Sequence, residues 1–523
     1  MNKMVGLMDD QYKFPIGSRI KVNDDFGTVK YVGNVQGYNG IWLGIEWDNF
    51  SRGKHDGTIN GIYYFSTKYP TSGSMIRIHK IEKFESLQEA VRKKYLCDEK
   101  NPLDKKLIRE AQKQLHANVF EIVGMEKIAQ KQSKVEELNE ISVSNSPINC
   151  AGDLHNFKRL SGLNISSTLI WNWNIVSDIA KQVPSLEDIN LSSNRFTLPK
   201  EDEINRLEPS FRNIKQIVLG KFGIKNWDDL ITIAHLWPNI ESLGLQENYF
   251  SNISTIDNNV IFRNLKKLDL NQTNLSDFNE ILKLGNINSL EVLLLMENNI
   301  EFIKLPECDP EKKINIFENL KEINLLHNPI KDEASTFNEL DKLKSLSSVC
   351  KTSDKKSGFD EMFSMAVGLI SNLQFLNRTF IERESRKGAE YDIWKKYGEE
   401  WQQCEGDEKK KLDFTKKYRN YGNLLKKYGS PAEFLIKPQK KLSNLIKIKI
   451  QYKPSGELWE KKLLRKLSLN TLQGLIMKQF KLKSTPKMTY IDIDHKNLVV
   501  ELNNMSKTLD FYSIKDNDLI IVE

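Results

Sequence analysis

The chain has 523 residues, of which 39% are hydrophobic and 28% are charged, and its 77 Lys and Arg residues against 70 Asp and Glu residues leave a net charge of +7. This length is too great for one ordinary core, so several domains are expected. So small a net charge, spread over such a chain, argues against bulk nucleic-acid binding.

The amino-terminal residues include two aspartates where a signal peptide needs an apolar stretch, and no window offers the roughly 18 uncharged apolar residues of a membrane span. The five cysteines lie far apart, without the close pairs of a zinc site or a redox motif. The sequence therefore predicts a soluble cytosolic protein with reduced thiols, no bound metal and no cofactor.

Residues 16 to 80 alternate short β-rich runs with many glycines, which predicts a small barrel-like domain of short strands within residues 1–84. From there to residue 134 the sequence changes to charged segments with apolar residues near helical spacing, interrupted at Asn101-Pro102. Residues 85–134 are thus predicted to form a helical connector.

A repeat follows, with the template L-x-x-L-x-L-x-x-N and other aliphatic residues allowed. Copies begin at Leu138, Leu160, Leu186, Ile214, Ile240, Leu265, Leu290 and Leu320. Each unit buries its aliphatic residues only when its neighbours stack on it, so the pattern predicts an α/β leucine-rich repeat solenoid over residues 135–385. The segment from Leu373, with Tyr391 and Trp394 after it, is predicted to cap the last repeat.

Residues 386–441 are rich in Lys, Glu and Tyr, which predicts a basic, solvated helical linker, with a basic surface for an acidic partner as the alternative. Residues 442–523 then show the order strand, hairpin, helix and strand. This order resembles a ubiquitin-like β-grasp domain. Its last residue, Glu523, offers no diglycine for conjugation, so we expect an interaction module and no modifier activity.

The Gly-rich motifs of the first domain resemble those of the CAP-Gly family. They are Ile16–Ile20, Gly27–Gly33, Trp42–Asp48, Gly53–Gly57 and Asn60–Phe65. Members of this family recognise C-terminal tails that end in Glu-Glu and an aromatic residue. The resemblance implies a tail-binding groove formed by Tyr38, Trp42, Arg52, Gly53, Lys54, His55, Asp56, Gly57, Met75 and Arg77.

Within this groove the resemblance implies distinct roles. We expect Lys54 and the backbone N–H groups of its turn to bind the terminal carboxylate. Trp42 and Tyr38 are expected to hold the aromatic ring, and two arginines, Arg52 and Arg77, to meet the preceding glutamates. His55 stands where the family usually has Asn, and Met75 where relatives often have Phe; we expect these departures to change affinity and not the class of ligand.

The order CAP-Gly, leucine-rich repeat and ubiquitin-like resembles the tubulin-folding cofactor E family over essentially the whole chain. The resemblance implies a cytoplasmic, cytoskeletal chaperone that holds α-tubulin by its acidic tail and acts with other tubulin cofactors on the α/β-tubulin heterodimer. No H-E-x-x-H, Walker or G-x-S-x-G motif is present, so no enzyme is predicted. Three questions stay open: whether the dimer is assembled or dissociated, whether the protein is instead a microtubule-associated adaptor without folding activity, and whether the ubiquitin-like domain links tubulin to the proteasome.

The repeats also predict a partner surface on the concave face of the solenoid. The third, fifth and seventh residues of each template point outward from the strand, and they are small or polar in the early and middle repeats. In the seventh and eighth copies they include four aliphatic residues, Val292, Leu294, Met296 and Leu326. Exposed aliphatic residues on adjacent strands indicate a buried contact, either with the body of tubulin or with another domain of this chain. The alternative is that the cap near Leu373 covers them.

Overall fold

The computed structural model describes residues 14–95, 135–255, 261–353, 358–432, 445–492 and 498–523. The chain divides into two compact units, Met1–Pro431 and Ala432–Glu523. The connector predicted for residues 85–134 lies outside the described residues beyond Tyr95. Across the described ranges, no helix has the length and apolar character needed to cross a membrane.

The first domain is a twisted four-stranded antiparallel sheet in the order β1-β2-β3-β6. Its strands are β1 (Arg19–Val22), β2 (Asp25–Val35), β3 (Tyr38–Trp47) and β6 (Gly73–Ile76), and a small hairpin of β4 (Thr58–Ile59) and β5 (Ile62–Tyr63) lies between β3 and β6. A 3₁₀ turn, Ile78–Lys80, follows. Alternate residues of the strands, including Val29, Leu43 and Ile45, are fully buried and form a separate small core.

The chain then enters the solenoid through β7 (Glu85–Ser86) and helix α1 (Leu87–Tyr95), and β7 pairs in parallel with β9 (Ile148–Cys150). The apolar face of α1 joins the solenoid core. The Tyr95 hydroxyl accepts a 2.9 Å hydrogen bond from the backbone N–H of Ser142, on the first solenoid strand. The described part of the predicted connector therefore covers the open edge of the repeat sheet, which would otherwise present unpaired backbone groups.

The solenoid carries an eleven-stranded sheet in which the first ten strands are parallel and the last turns back antiparallel. A strand lies in each of the eight motifs found in the sequence, and two more parallel strands follow from Leu346 and Leu373. The strands are Glu140–Ser142 (β8), Gly162–Asn164 (β10), Asp188–Asn190 (β11), Gln216–Val218 (β12), Ser242–Gly244 (β13), Lys267–Asp269 (β14), Val292–Leu294 (β15), Glu322–Asn324 (β16), Ser348–Cys350 (β17), Phe375–Leu376 (β18) and Thr379–Phe380 (β19).

Buried template asparagines hold the turns between strands. Asn194 donates from Nδ2 to the carbonyl of Ile165 over 2.9 Å, and its Oδ1 accepts from the N–H of Thr168 over 2.8 Å. Asn248 and Asn298 bond their preceding repeats in the same way. These amides satisfy backbone groups that would otherwise be buried without partners, which explains the Asn in the template.

Helices occupy the connections between strands. They are α2 (Trp173–Gln182), α3 (Glu201–Leu207), α4 (Trp227–Ala234), α5 (Phe278–Leu282), α6 (Glu333–Leu340) and α7 (Gly358–Leu369), with 3₁₀ turns at Val135–Glu137, Glu208–Phe211 and Lys283–Asn286. Asn172, Asn226 and Asp332 cap helix starts through their side-chain oxygens. Three buried tryptophans, Trp173, Trp227 and Trp237, fill the space between helices and sheet.

The prediction of a solvated linker at residues 386–441 is wrong for its described part, which ends at Ala432. Four helices, α8 (Arg383–Lys396), α9 (Gly398–Gln402), α10 (Glu408–Lys417) and α11 (Tyr421–Tyr428), pack on the last repeats. Their aromatic residues are mutually packed, and burial raises the pKa of Tyr418 to about 12. The many lysines concealed this aromatic face, because they dominate the composition while pointing outward.

The second unit is a five-stranded sheet in the order β21-β20-β24-β22-β23 with one helix. Its elements are β20 (Leu445–Tyr452), β21 (Glu457–Leu464), α12 (Leu469–Gln479), β22 (Met488–Asp492), β23 (Leu498–Glu501) and β24 (Leu519–Val522). The central strands β20 and β24 run parallel, and α12 packs its buried residues on them. This is the predicted β-grasp arrangement.

Candidate functional site: a peptide groove on the Gly-rich domain

One end of the candidate groove is an arginine stacked on a tryptophan. Strands β3 and β6 pair Gly44 with Met75 and Leu43 with Ile76, so the next step of the ladder brings Trp42 opposite Arg77. The guanidinium carbon of Arg77 lies 3.8 Å from the centre of the Trp42 ring. Tyr38 meets Trp42 edge-on at 5.7 Å between ring centres, and about half of the Tyr38 side chain (51%) is exposed. The result is a flat aromatic surface beside a positive charge.

The turn Gly53–Gly57 is tied closely to the segments around it. A Cβ on Gly53 would lie 2.2 Å from the carbonyl oxygen of Thr71, and a Cβ on Gly57 would lie 1.8 Å from that of Phe65. Gly57 also has a φ of +102°, which side chains disfavour. Glycine is therefore required at both ends of this turn for packing reasons.

The backbone N–H groups of the turn are already used inside the domain. Those of Lys54 and His55 both donate to the carbonyl of Gly73, over 2.7 and 3.2 Å. The Gly57 N–H donates to His55 Nδ1 over 3.0 Å, and the Thr58 N–H to Asp56 Oδ1 over 2.9 Å. The expectation that this turn offers its backbone donors to a carboxylate is therefore not supported for Lys54, His55 and Gly57. The exposed side chain of Lys54 is the positive charge that stays accessible.

The hydrogen bond from the Gly57 N–H also determines the tautomer of His55. Burial lowers the pKa of His55, while the neighbouring charge of Asp56 opposes that shift. Because Nδ1 accepts a hydrogen bond, the proton of the neutral ring lies on Nε2, which is then a donor. Hydrogen bonds from Thr58 hold the pKa of Asp56 below its usual value. His55 thus keeps a donor at the position where the family usually has Asn.

Arg52 belongs to a different cluster from Arg77. Its guanidinium carbon lies 3.7 Å from the centre of the Trp47 ring, and its Nε pairs with Asp25. Trp47 shares the buried face of β3 with Leu43 and Ile45, whereas Trp42 is on the opposite face. The predicted role of Arg52 in the groove is therefore not supported by this geometry. Met75, opposite Gly44, does lie on the Trp42 face.

Phe65 is a groove residue that the sequence reasoning did not single out. It is buried, its ring lies 6.0 Å from that of His55, and a Cβ on Gly44 would come within 2.4 Å of it. Phe65 thus supports the groove from beneath and explains why Gly44 lacks a side chain. The motif Asn60–Phe65 contained the signal, because it ends on this residue.

Comparison with known proteins agrees with these features. The model of the CAP-Gly domain matches residues 16–81. The chain is 51% identical to the Drosophila melanogaster protein named tubulin-specific chaperone E, with 99% of this chain and 100% of that protein covered. The chain belongs to the tubulin-specific chaperone E family. The Mus musculus member is 31% identical, with 97% and 98% covered. The solved C-terminal ubiquitin-like domain of mouse tubulin-specific chaperone E is 25% identical and covers 16% of this chain and 91% of that one, at a TM-score of 0.15.

In this member of the tubulin-specific chaperone E family, the four aliphatic residues predicted on the solenoid surface, Val292, Leu294, Met296 and Leu326, are half-buried. They alternate with the fully buried Leu293 and Leu295, so they lie on the sheet face away from the core. We call these four residues the aliphatic patch.

Two aromatic residues missed by the sequence reasoning lie further along the same sheet. Phe375 on β18 is paired with Phe380 on β19, their ring centres are 5.5 Å apart, and the two side chains are 37% and 56% exposed. The sequence reasoning placed Leu373 in a cap and so did not extend the outward positions to Phe375. In the strand register, Glu322 and Ser348 lie between Val292 of the aliphatic patch and Phe375, so the two apolar groups on this face are separate.

Proposed function

We propose that this protein is a tubulin-folding chaperone that holds α-tubulin by its acidic C-terminal tail in the groove around Trp42 and Lys54. In that role it acts with other tubulin cofactors on the α/β-tubulin heterodimer. The support from comparison is similarity over the whole chain to proteins named tubulin-specific chaperone E. The observation that carries the binding mode is the aromatic surface of Trp42 and Tyr38 with the guanidinium of Arg77 stacked on it.

The chemistry of the groove fits a tail that ends in acidic residues and an aromatic ring. Trp42 and Tyr38 give an apolar surface for the ring, and the guanidinium of Arg77 lies where an acidic side chain can reach it. The exposed ammonium of Lys54 and the Nε2–H of His55 are the donors for a carboxylate. An extended peptide lying along this face explains why its elements are distributed between β3 and the Gly53–Gly57 turn.

We further propose that the aliphatic patch contacts the folded body of tubulin. A tail peptide alone gives a chaperone no means to distinguish folded from unfolded tubulin, whereas a second surface does. The patch follows repeats whose outward positions hold small and polar residues such as Asn164 and Asn190. Partly exposed apolar residues on neighbouring strands favour a protein contact over free solvent.

The proposal is tested by size-exclusion chromatography of the purified chain with α/β-tubulin, intact or with the acidic tails removed by limited proteolysis. We expect a complex with intact tubulin and a much weaker complex after tail removal. Whether β-tubulin is released when other cofactors are added distinguishes dissociation of the dimer from its assembly. Equal binding of tail-less tubulin overturns the tail-holding mode. Binding to polymerised microtubules only, without any complex with the soluble dimer, supports the alternative of an adaptor without folding activity.

A further inference from the structure

Two separate contacts join the Gly-rich domain to the solenoid within the first compact unit. The first is at the exit of the domain, where β7 pairs with β9 and the N–H of Glu85 donates to the carbonyl of Pro147 over 3.2 Å. A crevice beside this pairing is lined by Lys21 and Glu82 from the domain and by Asn145 from the first repeat. This contact follows directly from the chain connection.

The second contact is far from the first along the chain. A Cβ on Gly17, whose φ is +92°, would lie 3.7 Å from both Trp171 and Thr197 of the solenoid. The backbone N–H of Thr197 donates to the carbonyl of Trp171, which holds the two solenoid residues together. Gly17 itself is fixed by a 2.8 Å bond from its N–H to the carbonyl of Val29.

Charges accompany this second contact. Asp48 accepts hydrogen bonds from the buried guanidinium of Arg19 within the Gly-rich domain. Across the contact, burial lowers the pKa of Arg195 of the solenoid; the charge of Asp48 opposes this shift and the charge of Arg19 adds to it. Arg195 donates to the carbonyl of Lys221 over 2.9 Å, so its guanidinium is held in place by the next repeat. The attraction between Asp48 and Arg195 therefore offsets part of the cost of removing the Arg195 charge from water.

We propose that the Gly-rich domain is docked in one fixed orientation on the edge of the solenoid, held by the pairing of β7 with β9 and by the packing of Gly17 against Trp171 and Thr197. A domain attached at one point rotates about that point, and small interfaces within a chain usually permit such motion. Two attachments at separate points remove that rotation. The docking is thus a property of this chain and needs no partner.

The consequence for binding rests on the proposed function. If the tail is held in a groove of fixed orientation, the body of the same tubulin molecule meets the solenoid at one defined separation. Once the tail is bound, the contact between the tubulin body and the solenoid forms within the same complex, at a high effective concentration. A freely rotating domain would lose much of this gain, because it would sample many separations.

Docking is measured by double electron–electron resonance between two nitroxide spin labels on the full chain. No tubulin is present, so the result is independent of the proposed function. Nitroxides are placed at Lys68→Cys, in a loop held by Glu46, and at Lys181→Cys, exposed on α2. The exposed Cys150 and the partly exposed Cys308 are first changed to serine, and Cys97, which lies outside the described residues, is changed as well. We expect one narrow distance distribution.

Arg195→Glu places a carboxylate opposite Asp48 and should broaden that distribution, and Trp171→Ala should do the same by removing the contact with Gly17. Lys304→Glu makes the same charge change on an exposed solenoid residue several repeats away and should leave it narrow. A broad distribution in the parent chain overturns the proposal. A narrow one that neither Arg195→Glu nor Trp171→Ala alters overturns it as well.

Discussion

The imidazole Nδ1 of His55 accepts a 3.0 Å hydrogen bond from the backbone N–H of Gly57, which ties the side chain to its own turn. Burial is the main reason why the pKa of His55 is lowered, and the charge of Asp56 opposes the shift. A group whose pKa is lower in the folded state stabilises the fold above its unfolded pKa, about 6.5 for histidine. This contribution is lost as the pH falls through the lower folded-state pKa.

We therefore predict that His55 titrates below pH 6.5 in the folded chain, and that acidification loosens the Gly53–Gly57 turn. His55→Asn should abolish this pH dependence, because an amide oxygen can accept the same hydrogen bond and does not titrate in this range. The measurement is an NMR titration of the histidine ring protons, with the variant used to assign the resonance. A His55 inflection above 6.5 contradicts the prediction.

The second prediction concerns Lys54. Lys54→Ala should weaken binding of a peptide ending in Glu-Glu-Tyr by about 1.5 to 3 kcal/mol, since a hydrogen bond to a charged partner contributes this much. Calorimetry on the full chain measures the change. Lys80→Ala, an exposed lysine of the same domain outside the groove, is the matched control and should bind normally. If an amidated peptide binds the parent chain as tightly as the free acid, the carboxylate is not recognised.

The two arginines are predicted to behave differently, although the sequence suggested the same role for both. Arg77→Ala should lower tail-peptide affinity, because it removes the charge stacked on Trp42. Arg52→Ala should leave that affinity unchanged and lower the stability of the Gly-rich domain, because it removes the partner of Asp25 and the cover of Trp47. Peptide titration and hydrogen exchange of the sheet distinguish these results. A loss of affinity in Arg52→Ala would return this residue to the groove.

The fourth prediction concerns helices α8 to α11, which pack on the last repeats and which we call the helical cap. Arg419 is almost fully buried and donates to three carbonyls of one solenoid loop, those of Cys308, Asp309 and Lys312. Arg419→Ala should cost more than about 2 kcal/mol of unfolding free energy, because these acceptors lose their donor inside the protein. Lys409→Ala, on the exposed side of α10, should change stability by less than about 0.5 kcal/mol. Equal thermal midpoints for the two variants would mean that the cap is a loosely held linker after all.

Local patterns predicted the repeating part of the fold well, because the spacing of aliphatic residues in each repeat shows which of its side chains are buried. The spacing from Leu186 to Asn194 determines one strand and one turn, and stacking repeats the result. The segment 386–441 was wrongly predicted to be a solvated linker for the opposite reason. Arg419 bonds to a loop more than a hundred residues earlier, and no local pattern indicates a contact over so long a sequence separation.

In the groove, too, the sequence could not predict contacts that depend on the tertiary structure. Motif resemblance located the Gly53–Gly57 turn, but whether its N–H groups are free depends on where the carbonyl of Gly73 lies. Likewise, Arg52 and Arg77 are both basic residues near the motif, and only their different stacking partners, Trp47 and Trp42, separate them. The position of the motif could be predicted from the sequence, whereas the direction of each side chain required the tertiary structure.

The last prediction tests the aliphatic patch with residues that the solenoid itself uses. The outward positions filled by Leu294 and Met296 are filled in an earlier repeat by Asn190 and Ser192, whose side chains suit the same turn. The double variant Leu294→Asn, Met296→Ser should therefore fold normally, which thermal unfolding checks.

If the patch contacts tubulin, this variant should bind whole tubulin more weakly and the tail peptide as before, as measured by sedimentation and peptide titration. An aspartate at position 294 is a poorer choice, because Leu294 is paired in register with Asp269, whose pKa burial already raises. Gln216→Asn, Ser242→Asn is the matched control on the polar part of the face and should retain full binding. Normal tubulin binding by the patch variant would exclude the patch from the substrate surface, and unfolding of that variant would place the two residues in the core.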